Sequence, residues 1–289
     1  MNWLILFGVV LLWASAFIGI KVGLDSFSPG ALALFRYLIA SLFILIFYLR
    51  QKTKKMPTFK EFLLLFLCGV TGLAIYNVAL NYAEIHVSPA ISSFVISMMP
   101  VCALLIGVLA FGDKVYRFSQ ICIAICILGV VIIFASDLHY GKDSHASILG
   151  FVALLLAIIG AAIYSNVQRV LIKKGFKPLE MTAWSIWLGT LSMLFFLPET
   201  ITQVAHADWQ DVGVVIYLGI FPAAIAYVGY GYAISRLPFT KVMTALYFSP
   251  LLVTLLQWMI LGDLPYGLTF FGGLVSVVGA LMLVRQKRQ

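Results

Sequence analysis

The stretch NYAEIHVSPAISSFVISMMPVCALLIGVLAFGD, residues 81–113, decides the fold when it is set against GYAISRLPFTKVMTALYFSPLLVTLLQWMILGD, residues 231–263. At a constant offset of 150 residues, Tyr82-Ala83 meets Tyr232-Ala233, Pro100 meets Pro250, and Gly112-Asp113 meets Gly262-Asp263. The match continues outward without a gap, from Gly69 against Gly219 to Tyr116 against Tyr266 and Gly129 against Gly279. One register shift extends it back to Pro29 against Pro178. The chain therefore reads as two copies of one unit, residues 1–136 and 147–285.

Each copy is too apolar for water. Of 289 residues, 63% are hydrophobic and 10% charged, with a mean hydropathy of +1.06. An ordinary soluble domain carries about a quarter charged residues, so these charges are too few to coat a globule, and lipid is the expected solvent. A spanning helix needs about 20 apolar residues. Ten such runs are present, at 2–22, 30–49, 61–83, 88–111, 118–136, 147–171, 180–198, 211–234, 241–262 and 267–284. Backbone groups in hydrocarbon must be satisfied within their own segment, and no alternating pattern indicates a barrel. The expected fold is an all-α polytopic membrane protein of ten helices.

Basic residues set the orientation, because short loops rich in lysine and arginine stay cytoplasmic. The even-numbered loops and the C-terminus hold Arg50, Lys52, Lys54, Lys55, Lys60, Lys114, Arg117, Arg169, Lys173, Lys174, Lys177, Arg236, Lys241, Arg285, Lys287 and Arg288. The odd-numbered loops offer only Lys21 and Lys142. Both termini are then cytoplasmic. Five spans per copy is an odd number, so the second copy must enter the membrane from the opposite side. Inverted repeats of this kind are a transporter architecture, in which exchanging the conformations of the halves moves the opening from one face to the other.

At these residues the chain resembles the drug/metabolite transporter superfamily and, within it, the ten-helix EamA-domain exporters. The matching stretches are Trp13-Ala-Ser-Ala-Phe-Ile-Gly-Ile-Lys21, Phe35-Arg36-Tyr37, Asn81-Tyr82-Ala83, and Pro100 followed by Gly112-Asp113, with Tyr232-Ala233, Pro250 and Gly262-Asp263 in the second copy. Family members more often have Glu after that glycine, so Asp113 and Asp263 are conservative departures. The resemblance implies export of small metabolites or amino acids through a central cavity; relatives in the superfamily also move nucleotide sugars and sugar phosphates.

Polar side chains away from span ends are candidate pathway residues. Asn77 and Asn81 share one face of helix 3, as Ser93 and Ser97 share one of helix 4. Tyr227 and Tyr230 on helix 8, and Thr244 and Tyr247 on helix 9, occupy or extend the corresponding faces of the second copy. Trp13 and Ser15 sit near mid-span in helix 1, and Asn166 lies in the inner half of helix 6. Such residues line a substrate cavity or serve as hydrogen-bonding glue between helices. Pro100 and Pro250 fall near the centres of helices 4 and 9, where each removes a backbone donor and bends its helix, as a hinge or as a fixed kink.

Arg36 is the one basic residue deep inside a span. It is expected to receive a substrate carboxylate, to pair with Glu84 or Asp25, or to snorkel outward. The acidic residues lie in loops or at helix ends, which disfavours a buried carboxylate relay and a polycationic substrate. Facilitated diffusion or exchange is the simplest mechanism, with Glu84 and His86 at the outer mouth as a proton-sensitive pair. Asp113 and Asp263 read as structural Gly-Asp turns.

Other classes fit poorly. The histidines His86, His139, His145 and His206 are dispersed, and Cys68, Cys102, Cys122 and Cys126 lie in apolar runs. No metal site, cofactor or catalytic cluster is expected, so an enzyme is disfavoured. The net charge of +8 forms no face suited to nucleic acid. The expected partners are a small-molecule substrate and the bilayer of a plasma, bacterial inner, membrane. The stripe Gly272, Ser276 and Gly279 on helix 10 suits close helix packing or contact with a second copy in a homodimer.

Overall fold

The computed structural model describes residues 2–112, 116–141, 144–237, 242 and 245–285, and the regular structure among them is entirely helical. The first copy begins with α1 (Asn2–Gly23) and α2 (Pro29–Arg50). Ser28 caps α2 by accepting from the Ala31 amide, and Pro29 supplies a preset φ at the first helical position. Next comes α3 (Phe59–Cys68), which passes through the π-helical segment Gly69–Ile75 into α4 (Tyr76–His86). Ser88-Pro89 repeats the Ser-Pro start and opens α5 (Pro89–Ile96), followed by α6 (Met99–Phe111) and α7 (Arg117–Tyr140).

The second copy holds α8 (Ser144–Lys173), α9 (Pro178–Ser192), α10 (Leu197–His206) and α11 (Trp209–Leu218). A second π-helical segment, Gly219–Ile225, leads into α12 (Ala226–Arg236), and the chain continues to α13 (Ser249–Leu261) and α14 (Gly267–Arg285). Among the described residues, seven helical stretches are long and apolar enough to cross a membrane, or eight if the bent pair α9–α10 is one span. The shorter apolar helices α13 and α14 stand where the ninth and tenth spans are expected.

The seventh span differs from its expected form. The run 180–198 predicts one helix, but α9 stops at Ser192 and turns by 47° through the tight turn Leu194–Phe196 into α10. The bend lays the Phe196 ring on Gly30, where a Cβ would lie 2.2 Å from it. Beyond it, Glu199 and Gln203 share one face of α10 while Leu197 and Ile201 remain exposed on another. That distribution suits a helix lying at the interface of a bilayer.

The two copies share local geometry at the same 150-residue offset. The two π-helical segments correspond residue for residue, at 69–75 and 219–225. Gly112 and Gly262 both end a helix in the left-handed region, at φ 68° and 75°, which a residue with a Cβ adopts only under strain. Pro100 and Pro250 each sit in the first turn of a helix after a two-residue interruption, Ser97–Met98 and Tyr247–Phe248. The prolines thus start new helical pieces instead of bending continuous ones. Asp113 and Thr244 lie outside the described residues.

Packing between the copies follows an exchange rule. A Cβ on Gly129 of α7 would lie 2.4 Å from the Ser276 amide of α14; one on Gly279 of α14 would lie 2.9 Å from the Cys126 amide of α7. Swapping the copies turns one contact into the other. The same holds at the π-helical starts, where a Cβ on Gly69 would meet the Ser185 carbonyl at 2.8 Å and one on Gly219 the Arg36 carbonyl at 2.7 Å. The stripe Gly272, Ser276 and Gly279 is therefore occupied by α7 of the same chain.

Candidate functional site

Where the copies meet, a polar centre is built from α1, α2, α4 and α12. Arg36 is 4% exposed, and its Nη1 donates to Asn77 Oδ1 at 3.2 Å. Asn77 Nδ2 donates in turn to the Tyr37 hydroxyl at 2.9 Å and to the Leu73 carbonyl at 2.8 Å. The Tyr37 hydroxyl also faces Tyr227 of the second copy. Asn77 follows directly on the π-helical segment, so the extra residue in that wide turn sets which way its face points.

The corresponding π-helical segment carries Pro222, which has no amide hydrogen to donate. Its carbonyl accepts from Trp13 Nε1 at 3.2 Å. The Trp13 ring packs edge-on against Tyr227, with centroids 5.4 Å apart, and tilted against Tyr230 at 5.2 Å. Tyr164 of α8 lies over Gly72, where a Cβ would be 2.4 Å from its ring. Trp13, Tyr76, Tyr164, Tyr227 and Tyr230 are all only half-buried, so these rings border open space as well as one another.

Arg36 departs from its expected ion pairs. Among the described residues the one ion pair is Lys55–Glu61, at 2.8 Å, and neither Glu84 nor Asp25 reaches the guanidinium. Nor does Arg36 snorkel, since it is buried. Depth explains the choice of Asn77. At about 1.5 Å per residue, Arg36 lies roughly 10 Å from the start of α2 and Asn77 roughly 13 Å from the end of α4, while Glu84 lies only about 3 Å from that end. The pair Glu84 and His86 also does not form: both Glu84 oxygens and His86 Nε2 are without hydrogen-bond partners, and the His86 ring packs edge-on against Tyr82.

The remaining expected residues are spread more widely. Asn81 donates to the Pro29 carbonyl at 2.9 Å and leaves its Oδ1 unpaired. Ser93 and Ser97 bond the carbonyls three residues earlier in the chain, Ala90 and Phe94. Asn166 bonds the Ala103 carbonyl of α6 at 2.9 Å and accepts from Arg169. Tyr247 is buried with its hydroxyl unpaired. Ser15 contacts the Tyr217 hydroxyl at 2.6 Å beside an apolar side groove of about 590 Å³. That groove runs between α1, α11 and α13 and takes none of the polar centre.

Sequence reasoning missed Tyr37, Tyr76, Tyr164 and Pro222. Tyr37 and Tyr76 adjoin Arg36 and Asn77, and Pro222 interrupts an apolar run, so each carried a signal. A second missed feature closes the basic end. Glu180, 1% exposed, accepts from Gln51 Nε2 at 2.8 Å, the Lys55 amide at 3.0 Å and the Lys177 amide at 2.9 Å, clamping the 51–58 loop onto α9.

The sequence profile of the EamA-like transporter family matches this chain twice, over residues 2–135 and 148–285. The uncharacterized transporter YdfC of Bacillus subtilis is 33% identical over 271 residues, covering 93% of this chain and 86% of that protein. A probable terminal-alkyne amino-acid exporter of Streptantibioticus cattleyicolor is 29% identical over 278 residues, covering 96% and 91%. A solved crystal structure 17% identical in sequence superposes with a TM-score of 0.65 over 100% of this chain and 98% of its own, a likeness of fold. With both matched segments spanning nearly its whole length, the chain belongs to the EamA-like transporter family.

Proposed function

We propose that this protein exports or exchanges small uncharged or zwitterionic metabolites, amino acids among them, by alternating access between two inverted five-helix repeats. The observation that carries this reading is the hydrogen-bonded centre Arg36–Asn77–Tyr37 beside the Trp13–Pro222 bond that joins the two copies at their interface. A polar cluster at that depth is costly in a membrane, and a pathway is the function that calls for one. Ten spans with both termini on the basic, cytoplasmic side agree with the lysine and arginine distribution, and a bacterial plasma membrane is the proposed location.

In this reading, Arg36 receives the carboxylate of a substrate while Trp13 and the surrounding tyrosines offer ring faces and hydroxyls to the rest. The exchangeable contacts Gly69–Ser185 and Gly219–Arg36 are the surfaces across which the halves rearrange. Asn166, Ser93 and Ser97 then act as fixed packing bonds, and the interruptions before Pro100 and Pro250 are points where helices can change angle. The amino-acid class is supported by the name of the Streptantibioticus relative.

The test is efflux of a panel of labelled amino acids from proteoliposomes. Saturable flux of at least one amino acid, abolished by Arg36→Met in a folded protein, supports the proposal. Absence of flux across the panel, or flux unchanged in Arg36→Met, overturns it.

A further inference from the structure

Among the described residues outside the central network, Glu84 is a fully buried acid, 0% exposed, with no hydrogen bond to either carboxyl oxygen. Helical spacing puts Asn77, Asn81 and Glu84 on one face of α4. That face leads from the Arg36 centre toward the end of the bundle away from the basic loops. At its upper end stands Lys21 of α1, whose Nζ donates to the Glu84 backbone carbonyl at 2.6 Å and forms no ion pair with the carboxylate.

The charged and titratable groups around Glu84 are few. α1 contributes Lys21, and α2 contributes Arg36, whose Nη1 is committed to Asn77. α4 itself contributes Tyr76 and His86, α5 contributes none, and α8 contributes Tyr164 deep in the bundle and, at the same mouth as Glu84, His145 in its first turn, five residues before Gly150, where a Cβ would meet Val87 and His86. A bare carboxylate with no hydrogen bond and no contacting cation is strongly disfavoured at this burial, and a neutral acid costs far less.

We propose that Glu84 is a proton-binding site. The carboxyl carries a proton in the present arrangement, and gives it up to water at the non-basic mouth when Lys21 Nζ moves from the Glu84 carbonyl onto the carboxylate. The step balances: one O–H bond breaks, the proton leaves, and the new negative charge is matched by the Lys21 ammonium. The proton site stands on its own geometry. Only its coupling to substrate movement rests on the transporter reading.

Infrared pH-difference spectra of the full-length protein in lipid nanodiscs test it. The carbonyl stretch of a protonated carboxylic acid is expected at neutral pH, lost in Glu84→Gln and kept in Asp137→Asn, the latter removing another buried acid with an unpaired oxygen. In Lys21→Gln the proton should be held about tenfold or more tightly, for want of the stabilising cation. Glu84→Asp, which keeps the acid and shifts the band, serves if Glu84→Gln does not fold. Spectra identical in wild type and Glu84→Gln, or release at an unchanged pH in Lys21→Gln, overturn the site. In proteoliposomes, an opposing proton gradient should speed amino-acid efflux by wild type and not by Glu84→Gln; acceleration retained in Glu84→Gln overturns the coupling. Failure of all amino-acid flux with the Glu84 band intact sinks the transporter reading and leaves the proton site standing.

Discussion

Ser41 and Thr190, 149 residues apart, share a 2.9 Å hydrogen bond between their hydroxyls. They are the same position in the two copies, since the register that aligns Pro29 with Pro178 also aligns Ser41 with Thr190. A residue that touches its own counterpart lies on the axis relating the copies. The glycine contacts of α7 with α14 obey the same relation.

Because those contacts come in exchangeable pairs, matched substitutions should cost similar amounts. Gly129→Ala and Gly279→Ala each drive a methyl into backbone and should destabilise by about 1–3 kcal/mol. Gly8, with nothing within 4 Å of its Cβ position, should tolerate alanine. Thermal denaturation in detergent checks this, and equal midpoints for Gly8→Ala and Gly129→Ala would contradict it.

Arg36→Lys should lose most amino-acid flux, at least about tenfold, at normal membrane expression. The guanidinium holds Asn77 with one arm and presents other donors elsewhere, and a lysine ammonium cannot reproduce that planar geometry. Full activity in Arg36→Lys would reduce the role of this residue to charge alone.

Trp13→Phe keeps an aromatic ring beside Tyr227 and Tyr230 but deletes the bond to the Pro222 carbonyl. The expected loss is about 1 kcal/mol of stability, read as a lowered denaturation midpoint. A larger loss in Trp13→Leu would separate the ring contacts from the hydrogen bond.

Sidedness can be read with single cysteines, because Cys68, Cys122 and Cys126 are buried and Cys102 is half-buried. With Cys102 replaced by serine, an impermeant maleimide should label Thr53→Cys only in inverted vesicles and Asp208→Cys only in intact cells. Labelling of both from one side would refute opposite exposure of the two loops.

Much of this architecture was legible in the spacing of Gly112-Asp113, Pro100 and their counterparts, because left-handed caps and missing amide donors are local demands that sequence states directly. The π-helical segments were not, since Gly69 and Gly72 look like ordinary small residues until Ser185 and Tyr164 are seen pressing on them. The turn at Met193 was hidden for a similar reason: it depends on Phe196 finding Gly30 across the bundle. At the site, periodicity identified Asn77 and Arg36 separately. Their union needed the depth of each along its helix as well as its face.

The frame obeys a two-fold relation that its chemistry does not. Arg36, Asn77 and Asn81 correspond to Ser185, Tyr227 and Gly231, so the guanidinium and both amides are supplied by a single half. A molecule held there would meet the same handed set of groups whichever compartment it came from. On the proposed function it crosses without tumbling, keeping one end toward the guanidinium throughout its passage.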